Sequence, residues 1–430
     1  MTDTIFALAT APGRGAVAIL RLSGPSSGSA LARLGGDLRQ PRKARLTRLQ
    51  GLHGEVLDSA LAVWFPAPGS FTGEDCVELH VHGGRAVVDA VSEALVGLGV
   101  RPAEPGEFSR RAFAAGKLDL AQAEAVADLV DAETEGQRRQ ALQQLNGALS
   151  QRYGAWRATL VGLLARLEAA IDFPDEDLPE DVTAAVLADI KALRSELAGA
   201  LKDGARGERV RDGYRVALIG APNAGKSTLF NALVGRDVAI VTPIAGTTRD
   251  VLEAPLVIAG QAVVLADTAG LRDSADLIEA EGVRRAEAWA QSADLRLWVT
   301  ADDEPPPTAF QLGDLIVLSK SDDRQPAPRE GLPVSALTGM GVEALRSQLR
   351  ARVLLDTQGS DFPAVTRARH AAGLAEAIAA LDRSMHSFSS GAELAVEDLR
   401  LAAGALARVT GSIGVEQVLD EVFSSFCIGK

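Results

Sequence analysis

The stretch Gly220-Ala-Pro-Asn-Ala-Gly-Lys-Ser227 has the spacing G-x-x-x-x-G-K-S/T. Glycines at this spacing let backbone N–H groups turn inward around phosphate oxygens, and a helix opening at Lys226 adds its N-terminal partial charge. Lys226 suits the outer phosphates, and the Ser227 hydroxyl suits a bridging Mg²⁺. Asn223, Ala224, Gly225 and Thr228 complete the wrap. Two further stretches follow in the order that phosphoryl chemistry requires. "IAGTTRD" supplies Thr247 and Thr248, the second suited to Mg²⁺ and the γ-phosphate. "VVLADTAG" ends in Asp267, suited to the Mg²⁺ shell, and Gly270, whose N–H senses the γ-phosphate. The ordered set of three points to a nucleotide-hydrolysing switch.

"DLIVLSKSD" supplies Ser319-Lys-Ser-Asp322 where GTPases usually carry Asn-Lys-x-Asp. Asp322 accepts from guanine N1–H and the 2-amino group, donors that adenine does not offer there. Lys320 lays its stem over the base. Ser319 is shorter than asparagine, so weaker guanine affinity or looser loop anchoring is expected. "VSAL" adds Ser335 and Ala336, whose N–H meets the base oxygen. The residue after the Asp-x-x-Gly element is Leu271, which cannot orient a water as glutamine does in many such switches. No arginine finger is evident, although Arg249 and Arg272 lie close in sequence. Two readings stand for Asn223: a ligand for a monovalent cation that replaces part of a finger's charge, or a loop-stabilising amide. The acidic residues of "DSADLIEAEG" are candidates to position the water.

These groups need elements to hold them. "DGYRVALIG" reads as a strand and "KSTLFNALVG" as the helix it feeds, and strands alternate with helices to about Val353, which predicts a parallel α/β sheet. Before it, 118–173 is helical in pattern, "PDEDLPED" is an acidic turn, and another helix follows. After it, "DTQGSDFP" reads as a linker and two more helices close the chain. The economical reading is a helical domain interrupted by an inserted α/β domain. The first 118 residues mix strands and turns. In "DCVELHVHGG", Val77, Leu79 and Val81 face one way and Glu78, His80 and His82 the other. His80 and His82 have no third ligand at metal spacing, so a structural role is favoured over zinc.

A length of 430 residues predicts two to four domains, and 47% hydrophobic with 23% charged residues fits a globular chain. Two cysteines fit a reducing compartment. With no basic-then-apolar leader and no membrane-length apolar run, the expected location is the cytoplasm. A net charge of −13 argues against generic nucleic-acid adhesion but leaves room for a local basic patch such as "RQPRKARLTR".

"GAPNAGKSTLFNALVGRDVAIVTPIAGTTRDV", "DTAGLR", "FTGEDCVELHVHGG", "PGEFSRRAFAAGKLDLAQAEAVADLVDA" and the terminal "FSSFCIGK" together resemble the tRNA wobble-uridine modification GTPases of the MnmE or TrmE family, over essentially the whole chain. The resemblance implies a multidomain protein. An α+β folate-binding and dimerisation domain (1–118) would precede an all-α helical domain (119–211 and 356–430), with an inserted Ras-like α/β P-loop G domain (212–355). It implies K⁺ ligands at Asn223, Thr242, Ile244 and Thr247, Mg²⁺ ligands at Ser227 and Thr248, and a water-orienting glutamate at Glu279. Arg21, Glu78, Lys117 and Lys430 match positions that hold 5-formyltetrahydrofolate or methylene-tetrahydrofolate. The implied setting is a homodimer that hydrolyses GTP. With an FAD-dependent flavoprotein, MnmG, it adds an aminomethyl or carboxymethylaminomethyl group to C5 of uridine 34 in tRNA. Cys427 then has two readings: nucleophile or acid/base beside the folate, or a small apolar residue that buries the tail. The tail's Gly429 and Lys430 argue against prenylation. The competing classes are a ribosome-assembly GTPase, which leaves "PGEFSRRAFAAGKLDL" and "FCIGK" without a role, and an ATPase, for which "SKSD" would be accidental.

Overall fold

The structure, a computed structural model, describes residues 3–172, 182–237, 252–267, 287–301, 310–311, 313–322, 331–359, 362–388, 391–413, 419, 422–424, 426 and 428–429. The acidic stretch 174–181 lies outside them. The chain forms two compact units. One comprises Met1–Asp131, Leu142–Arg194 and Glu376–Lys430, and the other Ala132–Ala141 and Ser195–Ala375.

In the first unit, strands β1 (Ile5–Leu8), β2 (Val17–Ser23), β3 (Arg45–Gln50), β4 (Val56–Phe65), β5 (Cys76–His82) and β6 (Arg101–Pro102) make one sheet in the order β3-β4-β5-β2-β1-β6. The two-residue period decides its faces. Val77, Leu79 and Val81 are buried with Ala18, Leu20 and Leu22 under helices α1 (Ser27–Arg33) and α2 (Arg85–Gly97). Glu78 and His80 share the opposite face with Ile19 and Arg21, to which they are paired in register.

Helix α3 (Glu107–Ala114) leads into α4 (Leu120–Asp131). The helical pattern over 118–173 resolves into α4, α5 (Glu135–Leu145) and α6 (Ala148–Asp172). Two local signals make the breaks. The Gln137 N–H donates to Thr134 Oγ1 at 3.3 Å as an N-cap, and Gly147 takes a φ of +88° between α5 and α6. Helix α7 (Val182–Lys202) follows. In α6, Leu149, Tyr153, Trp156, Leu160, Leu163 and Leu167 recur three and four apart, and all are buried. This helix packs along the late helix α12 (Ala392–Thr410), where Ala402 and Ala405 permit close approach.

In the second unit, α8 (Gly204–Asp212) precedes a sheet of order β12-β11-β10-β7-β9-β8, built from β7 (Tyr214–Ile219), β8 (Leu252–Ile258), β9 (Gln261–Asp267), β10 (Leu295–Thr300), β11 (Leu315–Leu318) and β12 (Leu332–Pro333). Every residue of β10 is buried, as a parallel strand covered on both faces requires. The expected parallel sheet holds for five strands. The sixth, β8, is antiparallel to β9, because Ala259 and Gly260 (φ +53° and +78°) close a tight hairpin. Helices α9 (Lys226–Asp237) and α10 (Val342–Thr357) pack on this sheet, and α11 (Ala368–Ser387) follows. The predicted linker begins inside α10, where Asp356 accepts the Tyr214 hydroxyl at 2.6 Å. Among the described residues no helix is long and apolar enough to cross a membrane.

Candidate functional site

The loop between β7 and α9 carries the phosphate-type chemistry. A Cβ on Gly220 (φ +149°) would stand 2.1 Å from the Val299 carbonyl oxygen of β10, so only glycine lets the loop leave the sheet at this angle. Lys226 is buried, and its Nζ donates to the carbonyls of Gly220 (2.9 Å) and Ala221 (2.8 Å), which fixes the ammonium inside the loop. Asn223 takes a φ of +61°, a left-handed conformation that asparagine tolerates better than most residues. Because β7 and β9 are parallel neighbours with Leu218 opposite Asp267, the end of β9 lies beside the start of α9. There Ser227 Oγ donates to Asp267 Oδ2 at 2.6 Å. A hydroxyl and a carboxylate brought together beside a phosphate loop are the hard oxygen donors that Mg²⁺ takes.

The base-reading loops close a cleft of about 300 Å³ lined by Gly225, Thr228, Ser319, Lys320, Asp322, Ser335 and Ala336, among others. The Ser319 N–H donates to the Thr300 carbonyl at 2.8 Å, and its hydroxyl reaches the Ala224 carbonyl of the phosphate loop at 2.5 Å. The shorter side chain therefore does tie the two loops together. Lys320 follows at φ +55°, which turns the chain so that exposed Asp322 lines the cleft. The Ser321 hydroxyl donates to the Leu318 carbonyl at 2.7 Å, and the Ser335 N–H to the Met340 carbonyl at 2.9 Å. The structure thus assembles Asn223, Ala224, Gly225, Lys226, Ser227, Thr228, Asp267, Ser319, Lys320, Asp322, Ser335 and Ala336 at one end of the sheet. Thr242, Ile244, Thr247, Thr248, Arg249, Gly270, Leu271, Arg272 and Glu279 lie outside the described residues, as do Cys427 and Lys430.

In the first unit, Arg21 and Glu78 face each other across β2 and β5. Arg21 Nε and Nη2 both donate to Glu78 Oε1, at 3.0 and 2.9 Å. The Arg21 guanidinium also lies 6.0 Å from the ring centres of Phe71 and Phe108. His80 Nε2 is 3.4 Å from Glu78 Oε2. Lys117 is exposed, and its stem runs past Gly73 of the "FTGED" loop.

Sequence reasoning gave no part to the group that holds this loop. Arg111, whose side chain is 1% exposed, donates to Glu74 (3.0 Å), Glu107 (2.9 Å), and the Asp3 carboxylate (2.9 Å) and carbonyl (3.0 Å). Arg101 adds two bonds to Glu107 and one to Asp3. Glu74 also accepts from the Ser23 hydroxyl, which lies 2.7 Å from buried Thr72 Oγ1. Burial opposes ionisation of Glu107, but bonds from Arg101, the Glu104 N–H and Arg111 outweigh it and hold its pKa below the usual value. Arg101 likewise lowers that of Asp3. A signal was available: Glu107 and Arg111 are four apart, on the same helical face as Phe108 and Ala112, which are fully buried.

The C-terminal tail packs on the same unit. Phe423 and Phe426 are buried against Leu120 and Ala123, with Phe113 and Leu118 beside them. The two rings meet edge to face, with centroids 5.3 Å apart.

A parallel sheet with a phosphate loop, a serine–aspartate pair at its mouth and a guanine-type base loop defines a P-loop GTPase. The model of the GTP-binding protein TrmE N-terminus matches residues 4–117, and that of the MnmE helical domain matches residues 120–427. The chain is 57% identical over 447 residues to the tRNA modification GTPase MnmE of Caulobacter vibrioides and 55% identical over 446 residues to that of Phenylobacterium zucineum, with both partners covered over 100% of their length. It is 53% identical to the Rhodospirillum rubrum protein of the same name, over 100% of this chain and 99% of that one. The chain belongs to the tRNA modification GTPase MnmE family.

Proposed function

We propose that this GTPase modifies tRNA. In this reading it acts with a flavoprotein partner to add an aminomethyl or carboxymethylaminomethyl group to C5 of uridine 34. The observation that carries the reading is the union, in one chain, of the assembled guanine-nucleotide site and a C-terminal segment whose Phe423 and Phe426 are buried against Leu120 and Ala123. A switch for ribosome assembly needs only the first.

A reduced folate supplies the one-carbon unit when bound. Arg21, Glu78 and Lys117 suit it: guanidinium and ammonium groups match its carboxylates, and Glu78 matches pterin N–H donors. The exposed Phe71 ring beside Arg21 adds an aromatic surface for the pterin. Lys226 orients the outer phosphates, Ser227 and Asp267 would hold Mg²⁺, and Asn223 with Thr242, Ile244 and Thr247 would hold K⁺, supplying charge that no finger residue provides. Thr248 would join the Mg²⁺ shell, Gly270 the γ-phosphate, and Glu279 would orient the attacking water. The protein works as a homodimer in the cytoplasm in this reading. Cys427 and Lys430 extend a tail that Phe423 and Phe426 anchor.

The test is genetic and chemical. The gene is deleted in its host and restored as wild type or as Cys427→Ser, and tRNA nucleosides are resolved by mass spectrometry. Restoration of the C5 group on uridine 34 by wild type is expected. Loss with Cys427→Ser, in a protein that still folds and hydrolyses GTP, gives the thiol a part in the chemistry. Unchanged uridine 34 in the deletion strain overturns the reading in favour of a regulatory switch.

A further inference from the structure

The chain is acidic overall, with 57 acidic against 44 basic residues, yet between Arg33 and Arg48 it carries six basic residues and one acidic one. The fold gathers these into one surface. The Gln50 N–H of β3 donates to the Leu34 carbonyl at 3.1 Å, which sets the end of α1, with exposed Arg33, beside the strand that carries exposed Arg48. Asp37 pairs with both Arg39 (2.9 Å) and Arg45 (2.7 Å), which draws the intervening loop onto the same side. Arg42 donates to the Gly69 carbonyl at 2.5 Å and stays exposed, as does Lys43. Arg39 keeps 84% of its side chain in solvent. Among the described residues Arg33, Lys43 and Arg48 make no ion pair.

Part of this has a simpler reading. β3 is an edge strand, and charges on an edge discourage pairing with another chain. That accounts for Arg45 and Arg48, which lie on the strand. It does not account for Arg33, Arg39, Arg42 and Lys43, which lie off it. An open, spread arrangement without a buried polar pocket suits a row of phosphates rather than a single one. On a chain with a net charge of −13, a positive region also biases the orientation in which a polyanion approaches.

We infer that the surface formed by the end of α1, the following loop and β3 is a docking site for the phosphate backbone of the tRNA substrate. The inference rests on the tRNA reading above. Its recognition is by charge and arginine forks, without base reading.

The experiment compares full-length wild type with the triple variant Arg39→Gln, Lys43→Gln, Arg48→Gln, all exposed and remote in sequence from the nucleotide loops. Binding of an unmodified tRNA transcript is titrated across a salt series. The variant is expected to bind more weakly, and its log affinity against log salt to flatten by roughly 0.7–0.9 for each phosphate it no longer neutralises. Its GTP hydrolysis without tRNA and its eluted mass are expected to match wild type. A lysine-for-arginine version that keeps the charge is expected to bind as wild type does. Equal affinity and slope in the triple variant overturn the inference. So does loss of flavoprotein binding with tRNA binding intact, which makes the patch a protein interface. A wild type that does not bind tRNA at all overturns the tRNA reading itself, a distinct result.

Discussion

The Ser319 hydroxyl lies 2.5 Å from the carbonyl oxygen of Ala224, so the base loop is tied to the phosphate loop by one bond. Where an asparagine spans with an amide, the serine needs the loops close. Gly225 suits this approach because it takes a φ of +94°, a conformation that glycine adopts without strain. A typical net hydrogen bond contributes about 1 kcal/mol. Ser319→Ala is therefore expected to raise the dissociation constant for GDP and GTP about fivefold. Ser319→Asn, which brings both a donor and an acceptor, is expected to lower it. Titration with a fluorescent guanine nucleotide measures both, and unchanged constants remove Ser319 from the site.

The phosphate loop was legible because its chemistry is a local property of the chain: spacing, a strand before it and a helix after it. The faces of β5 were legible for the same reason, through the two-residue period. Arg111 was not. Its partners Glu74 and Asp3 lie 37 and 108 residues away, and in sequence a charge destined for burial looks like any surface charge. Arg21 and Glu78 were picked out by resemblance, but their pairing is a consequence of strand register, which residue types alone do not fix. The antiparallel β8 turned on two left-handed residues, one of them an alanine, which carries no turn signal.

Hydrolysis is expected to depend on K⁺. Leu271 cannot orient water, and Asn223 sits within the phosphate loop at a φ of +61°. In matched buffers, GTP turnover in KCl should exceed that in NaCl about tenfold or more, the scale of one transition-state charge interaction. Asn223→Gly keeps the backbone conformation accessible while removing the amide, so it isolates the side chain. Equal rates in the two salts, or full K⁺ stimulation in the variant, count against the cation role.

The Glu107 and Asp3 carboxyls set an acid limit on the N-terminal unit. Both folded pKa values lie below their ordinary values of 4.5 and 3.8. Their stabilisation is fully present above those values and is lost as pH falls through the folded ones. The urea midpoint of this unit should hold from pH 7 to about 5 and decline below about 4.5. Arg111→Met leaves Glu74 and Glu107 short of a buried partner and is expected to cost about 3–5 kcal/mol at pH 7. Glu107→Gln should start less stable and lose less on acidification. A midpoint that is insensitive to acid, or to Arg111→Met, contradicts the network's role.

Gly106 governs the tail. At a φ of +68° it opens α3, and a Cβ there would stand 2.5 Å from the Phe423 carbonyl oxygen. A left-handed alanine costs roughly 1–2 kcal/mol in backbone strain alone, and this one also meets main chain that has no flexible end to swing away. Gly106→Ala should therefore loosen the segment after Phe423 while leaving the GTP site, in the other compact unit, unaltered. Hydrogen exchange is expected to rise in peptides covering 419–430, and proteolysis there should quicken. In the host, tRNA modification should fall further than GTP turnover does. If exchange at the tail does not change, the packing of Phe423 on Gly106 is not what holds it; if GTP turnover falls in parallel with modification, the defect is one of folding rather than of tail placement.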